Sequence, residues 1–364
     1  MAVDPITLEV LPAGYGDSLL ISCPVGRGTW RMLVDTGPDE CWPALKARLG
    51  KIPKSKDGKR VIDLLVISHI DHDHIGAAAQ LLSDQDLGLS FGDVWFNAPS
   101  LQRSRGVAEG QRLSDFLGAG DASIPWNRAF EGSLCVTGSN GSLFRELPAK
   151  RGLPRLTVLS PNQAALSALF GKWDRELERM RQRTQEPVQR SSASRAALDL
   201  QALAAKVTAV DQAAANGSSI ALLLEHRGAS VLLGADAFPT VLTPALKALA
   251  LSRKTPKGLK VDAFKLSHHG SRGNTTLDLL KVVQADHYVI STNGAIFGHP
   301  DDETIARVVT AGGRTPTLWF NYANDESRRW AQPEMQRAHR YRACLPAEGA
   351  AGLTMKLGAA GPAA

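Results

Sequence analysis

The chain is poor in cysteine and aromatics and has no long apolar run. Its four cysteines, Cys23, Cys41, Cys135 and Cys344, are scattered over 364 residues. No C-x-x-C pair occurs, which excludes a zinc ribbon or a dithiol redox centre. Isolated thiols are expected to be free in a reducing compartment, so a cytoplasmic location is expected. No apolar stretch approaches the roughly 18–20 residues of a membrane span, so no membrane association is expected. The opening MAVDPITLEV lacks a basic start and an unbroken apolar core, so no secretory leader is expected. Acidic residues are slightly outnumbered, giving a net charge of +6. That allows a polyanionic partner without requiring one. No internal repeat is present. With 43% hydrophobic and 21% charged residues, the chain reads as globular.

Histidine is also scarce, and its placement is uneven. Of nine histidines, three fall between His69 and His74, in the stretch VIDLLVISHIDHDHIGA at 61–77. The stretch opens as a buried strand, Val61 to Ile67, and then gives His69, Asp71, His72, Asp73 and His74 in six positions. Gly76 and a helix over Ile75 to Leu82 follow. Three more histidines, His268, His269 and His299, sit in two further loops, each after an apolar strand. Imidazole nitrogen and carboxylate oxygen at rigid strand ends suit zinc, manganese or iron, and two ions about 3.5–4 Å apart can share ligands.

The burst resembles the H-x-H-x-D-H signature of the metallo-β-lactamase-fold hydrolases. Taking Asp73-His74 as the closing pair puts His69 first and Asp71 where the second histidine is expected. The other frame puts Ile67 first, and isoleucine cannot bind metal. The variant H-x-D-x-D-H is similar to the hydrolase domain of the ComEC-type competence DNA-uptake channels and their soluble relatives. Further elements match in order: G-x-G-D-S at 14–18, D-T-G from Asp35, and N-x-x-S at Asn216 and Ser219. Asp236 after Gly234, H-H-G-S ending at Ser271, and G-H-P at His299 complete the series. The channels carry membrane helices, and this chain has none expected.

The resemblance implies an α/β four-layer αβ/βα sandwich and two divalent metal ions, zinc or manganese. His69 and Asp71 would bind the first ion. Asp73, His74 and His299 would bind the second, with Asp236 bridging. His268 and His269 would reach the substrate and protonate its leaving group, or one of them would hydrogen-bond a ligand. Asp35 would hold a ligand loop, and Asn216 and Ser271 would support the site or meet the substrate. Two departures stand out. Asp71 replaces a histidine, which makes its position harder. No histidine lies between His74 and Asp236 except His226, expected on a solvent-facing turn. The first ion thus lacks a ligand, to be supplied by Asn216, water or substrate.

The remaining chain divides into a core half at 1–161, a helical insertion at 162–215, a second core half at 216–357 and a disordered tail at 358–364. The insertion is rich in helix formers and could dock a partner protein. The Arg-rich stretch with Arg328, Arg329, Arg337, Arg340 and Arg342 suits a nucleic acid. The expected function is a metal-dependent phosphodiesterase, most readily a nuclease preferring DNA to RNA. The alternatives are a lactonase, thioesterase or choline-phosphate esterase, and a metal-stabilised binding component of a larger assembly.

Overall fold

The computed structural model describes residues 6–99, 113, 124–138, 141–176, 199–313 and 315–358. Its strands are β1 (Ile6–Val10), β2 (Leu19–Val25), β3 (Gly28–Val34), β4 (Arg60–Val66) and β5 (Leu89–Trp95). They continue as β6 (Arg145–Glu146), β7 (Arg155–Ser160), β8 (Ala221–His226), β9 (Ala229–Leu233) and β10 (Leu259–Lys265). The last are β11 (Val283–Ile290), β12 (Thr317–Phe320), β13 (Arg342–Cys344) and β14 (Leu353–Leu357). One sheet has the order β14-β1-β2-β3-β4-β5, the other β13-β12-β11-β10-β9-β8-β7-β6. In both, antiparallel hairpins give way to parallel strands: β3 beside β4 and β5, and β9 beside β10 to β13.

Period-two alternation explains the layers, because successive side chains leave a strand on opposite faces. In β4, Leu64 and Val66 enter the core between the sheets, while Leu65 faces the outer helices. In β8, Leu222 and Leu224 face inward and Leu223 faces outward. The helix Trp42–Leu49 covers the first sheet through Leu45 and Leu49. The helices Pro239–Ser252 and Asp302–Ala311 cover the second. This is the expected four-layer sandwich, with helices outside both sheets. All four cysteines are free. No helix among the described residues is long and apolar enough to cross a membrane.

Two local expectations are corrected. The helix after the histidine burst is two pieces, His72–Ile75 and Ala78–Ser83. At the break, a Cβ on Gly76 would stand 2.7 Å from the Asp39 backbone nitrogen, so the chain packs too closely to stay regular. Between 142 and 147 the only strand is β6. His226 is not on a solvent-facing turn. It closes β8, is 5% exposed, and its Nε2 lies 2.8 Å from Pro24 O. The Arg-rich stretch contains two short helices, Asp325–Trp330 and Pro333–His339. The first has a capping box in which Asn324 Oδ1 accepts from Ser327 N.

The described ends of the insertion pack into both outer layers. Leu169, Trp173, Ala214 and Ala215 join the helices over the first sheet, and Leu200 and Ala204 those over the second. Leu177, Met180, Leu198 and the arginines Arg179, Arg181, Arg183, Arg190 and Arg195 lie outside the described residues. So do the tail from 359 and, apart from Leu113, residues 108–117. The return of the insertion is pinned by Arg307, which is 3% exposed. Its guanidinium donates to Ala204 O, Lys206 O, Thr208 Oγ1, Arg272 O and Thr275 O at 2.7–3.3 Å.

The loop between β1 and β2 lies against the histidine-rich turn. A Cβ on Gly16 would stand 1.9 Å from Asp73 O, so only glycine permits this approach. Gly16→Ala is expected to cost about 1–3 kcal/mol through overpacking and to displace Asp73. Denaturation midpoint and metal content should fall together. An unchanged midpoint would show that the two loops separate without penalty.

Candidate metal centre

The first half of the site is built at the ends of β3 and β4. Asp35 follows β3 with a left-handed φ of 59°. Its Oδ1 accepts from Ser68 N at 2.7 Å and its Oδ2 from Ser68 Oγ at 2.7 Å, fastening the start of the loop after β4. The same Oδ2 lies 2.8 Å from His74 Nδ1. An imidazole that donates Nδ1–H to a carboxylate is fixed in orientation and turns Nε2 outward as a ligand. Thr36 N also donates to His74 O at 2.8 Å. His69 Nδ1 lies 3.0 Å from Ser68 Oγ, so its Nε2 faces the same space.

The second half arrives from the ends of β9 and β10. Asp236 is 2% exposed, and its backbone N–H donates to Ser219 Oγ at 3.2 Å. Its oxygens divide between two histidines. Oδ1 lies 3.4 Å from His74 Nε2, and Oδ2 lies 3.7 Å from His69 Nε2. His268 and His269 take left-handed backbone angles, φ 49° and 53°, which turn consecutive rings into different places. His269 is fully buried, with Nε2 3.1 Å from Asp73 Oδ2 and Nδ1 2.9 Å from Ser291 O. His268 has a 20% exposed side chain, and its Nε2 lies 3.7 Å from Asp236 Oδ2.

Among the described residues four groups of ligand atoms converge within 4.8 Å, and two of them carry the site: His69, His74 and Asp236, and Asp73, His74 and His269; the others are Asp17, Asp35 and His74, and Asp39, Glu40 and His72. The buried atoms His69 Nε2, His74 Nε2 and Asp236 Oδ1 have no hydrogen-bond partner. Each such atom costs about 1–3 kcal/mol when left unsatisfied, and three facing one another suit a shared cation. The donor set is nitrogen and carboxylate oxygen, which fits zinc or manganese. Burial and the neighbouring His74 push His69 down to about 4, leaving a lone pair on Nε2 at neutral pH. Burial opposes ionisation of Asp73, but His74 and His269 hold it down at about 2. Burial likewise opposes charge on His268, yet Asp236 and Asp211 raise it to about 9.

The structure brings together His69, Asp73, His74 and Asp236, which the resemblance names as ligands, with Asp35 behind them. It places two histidines elsewhere than the resemblance implied. His269, expected to reach the substrate, stands in the group with Asp73 and His74. His299, expected as the late ligand of that group, is outside both groups among the described residues. Its ring is 5.3 Å from that of His268, and its Nδ1 faces Asp301 Oδ2 at 3.4 Å. The reason is the left-handed turn at His268–His269, which drives the second ring into the core. Asp71 stands at the rim, with Oδ2 3.8 Å from His69 Nε2 and an 18% exposed side chain. Asn216 donates to Asp211 Oδ2 at 2.7 Å and leaves its buried Oδ1 without a partner. Ser271 is turned to its own loop, its Oγ accepting from Gly273 N.

Sequence reasoning missed four residues that support these rings. Asp211 Oδ2 lies 3.2 Å from His268 Nδ1, and Asn274 Oδ1 lies 3.0 Å from the same atom. Asp17 and Lys265 form a buried ion pair between the two sheets. Asp17 stood in the G-x-G-D-S element, where the glycines drew attention instead. Lys265 was signalled as a lone cation on an otherwise apolar strand end.

Residues 12–89 match the family model described as the Metallo-beta-lactamase superfamily. Among solved structures, the metallo-beta-lactamase fold protein YhfI from Bacillus subtilis is similar over 97% of this chain and 100% of that one. The identity is 13% and the TM-score 0.42. No curated protein matches. The sandwich is consistent with the metallo-β-lactamase fold, and the matched segment with its buried His/Asp clusters supports a metal-dependent hydrolase in general.

Proposed function

We propose that the chain hydrolyses phosphodiester bonds at a dinuclear centre. The observation that carries this is the division of Asp236 between His69 and His74, each with an unpartnered Nε2. His69, Asp71 and Asp236 would hold one ion; Asp73, His74, His269 and Asp236 would hold the other. When bound, such a pair lowers the pKa of water and offsets negative charge developing on an ester oxygen. Asp35 and Ser68 keep His69 and His74 in orientation. His268 stands at the rim, fastened at Nδ1 by Asp211 and Asn274, and its Nε2 is placed to protonate a leaving oxygen.

The nucleic-acid part of the reading rests on arginine, and the structure narrows which arginines can serve. Arg329 donates to Asp302, and Arg337 pairs with Glu334 at 3.2 Å. Arg328, Arg340 and Arg342 are exposed. If these three contact phosphates, replacing all of them with glutamine should flatten the log–log salt dependence of DNA binding by roughly one unit per lost contact. The loss should be equal for all sequences. An unchanged slope would leave a small-molecule ester as substrate.

The direct test is metal content together with hydrolysis of plasmid DNA, RNA and a generic phosphodiester, with zinc, manganese or magnesium added. DNA is expected ahead of RNA. Cleavage of a lactone or thioester, with none of nucleic acid under any metal, would sink the phosphodiesterase reading. Bound metal with no hydrolysis of any of these would favour a binding component.

A further inference from the structure

Lys265 closes β10 and is completely buried. An ammonium in such a place is costly unless paired. Its Nζ donates to Asp17 Oδ2, on the β1–β2 loop of the opposite sheet. Asp17 is 1% exposed and makes two further contacts. Its Oδ1 faces His269 Nδ1 at 3.4 Å, and its backbone N–H donates to Asp73 O at 3.0 Å. One residue therefore touches two of the three members of the Asp73–His74–His269 group.

The contacts fix what His269 can present. Ser291 O, 2.9 Å from His269 Nδ1, can only accept a hydrogen bond. With the Asp17 carboxylate beside it, Nδ1 must carry the proton. Nε2 is thereby turned toward Asp73 Oδ2, 3.1 Å away, where an ion would meet the imidazole and the carboxylate together. Lys265 occupies the other Asp17 oxygen and so sets the plane of the carboxylate. His69 is held from another side, by Ser68 and through it by Asp35.

We infer that Lys265 and Asp17 are positioning residues for one of the two metal positions, the one at Asp73 and His269, and leave the other alone. The inference rests on the reading of the cluster as a metal centre. Removing an outer partner of a metal-bound histidine lowers affinity by about 10–100-fold. A pair that merely ties the sheets together would lower stability without selecting between ions.

The experiment is titration of the full chain, stripped by chelator, with zinc and separately with manganese. Fold is followed by circular dichroism. The wild type is expected to take up two equivalents. Lys265→Met should weaken one equivalent by about 10–100-fold and leave the other unchanged. Because that variant strands a buried carboxylate, Lys265→Met/Asp17→Asn is the second arm. It removes both charges, should fold, and should still be weak at the same position. Wild-type affinity for both equivalents in both variants would overturn the inference. So would recovery of wild-type affinity in the double variant, since stranded charge alone would then explain the single one. A wild type that binds no ion overturns the metal reading, and this inference with it.

Discussion

Asp236→Ala is expected to lose most of its bound metal. Hydrolysis should fall by more than the roughly 10–100-fold that loss of an outer partner costs. The two oxygens of Asp236 face different histidines, His74 at 3.4 Å and His69 at 3.7 Å. Deleting it takes an anionic ligand from each position and leaves two imidazole nitrogens without a counter-charge. Burial disfavours its ionisation, but His268 and His74 hold its carboxyl well below the usual range. Those two histidines therefore favour its anionic form. The fold should persist, because the lost contacts are directed at the site and alanine keeps the backbone hydrogen bond to Ser219. Metal analysis of the purified variant, beside its denaturation midpoint, checks this. Equal metal content in variant and wild type would remove Asp236 as the bridge.

Arg307→Met is expected to destabilise the protein by about 3–5 kcal/mol. The guanidinium serves four carbonyls and a hydroxyl from two chain segments, and methionine leaves them without this donor, the Ala204 and Thr275 carbonyls in buried positions. Arg307→Lys should rescue little, since a compact ammonium cannot span the fork. Urea unfolding reads the change as a shifted midpoint at constant slope. The effect should reach the site, because the pinned segment carries Asp211 and Asn216 to His268. A loss below about 1 kcal/mol, the size of one ordinary hydrogen bond, would show that the segment is held by its apolar contacts instead.

Much of this was legible in the chain, for identifiable reasons. The alternation in Leu64–Val66 and Leu222–Leu224 marks strands buried on both faces, and hence sheets covered on both sides. The spacing of His69, Asp73 and His74 announces a shared site because all three hang from one strand end. The failures involve partners remote in sequence. His226 looked exposed because nothing nearby predicts Pro24, 202 positions away. The Asp17–Lys265 pair spans 248 positions. The placement of His269 and His299 depended on two backbone angles that no residue type demands, since histidine only tolerates a positive φ. The helix at Asp325–Trp330 could have been found, because Asn324 and Ser327 form its cap. The basic residues around it were read for charge alone.

The seam between the sheets has a consequence for assembly. Asp73 and His269, whose side chains meet at 3.1 Å, are 196 positions apart. An ion held by both would act as a reversible cross-link closing a loop of that length. Forming such a loop in an unfolded chain carries an entropic penalty that grows only slowly with length, but Asp73 and His269 meet only after the two sheets have docked. Metal capture should therefore be a late event in folding. Free metal should slow unfolding, and a chelator should hasten it, because the cation binds the docked form and not the open chain. Metal supply would then govern how long a finished molecule survives as well as how fast it turns over.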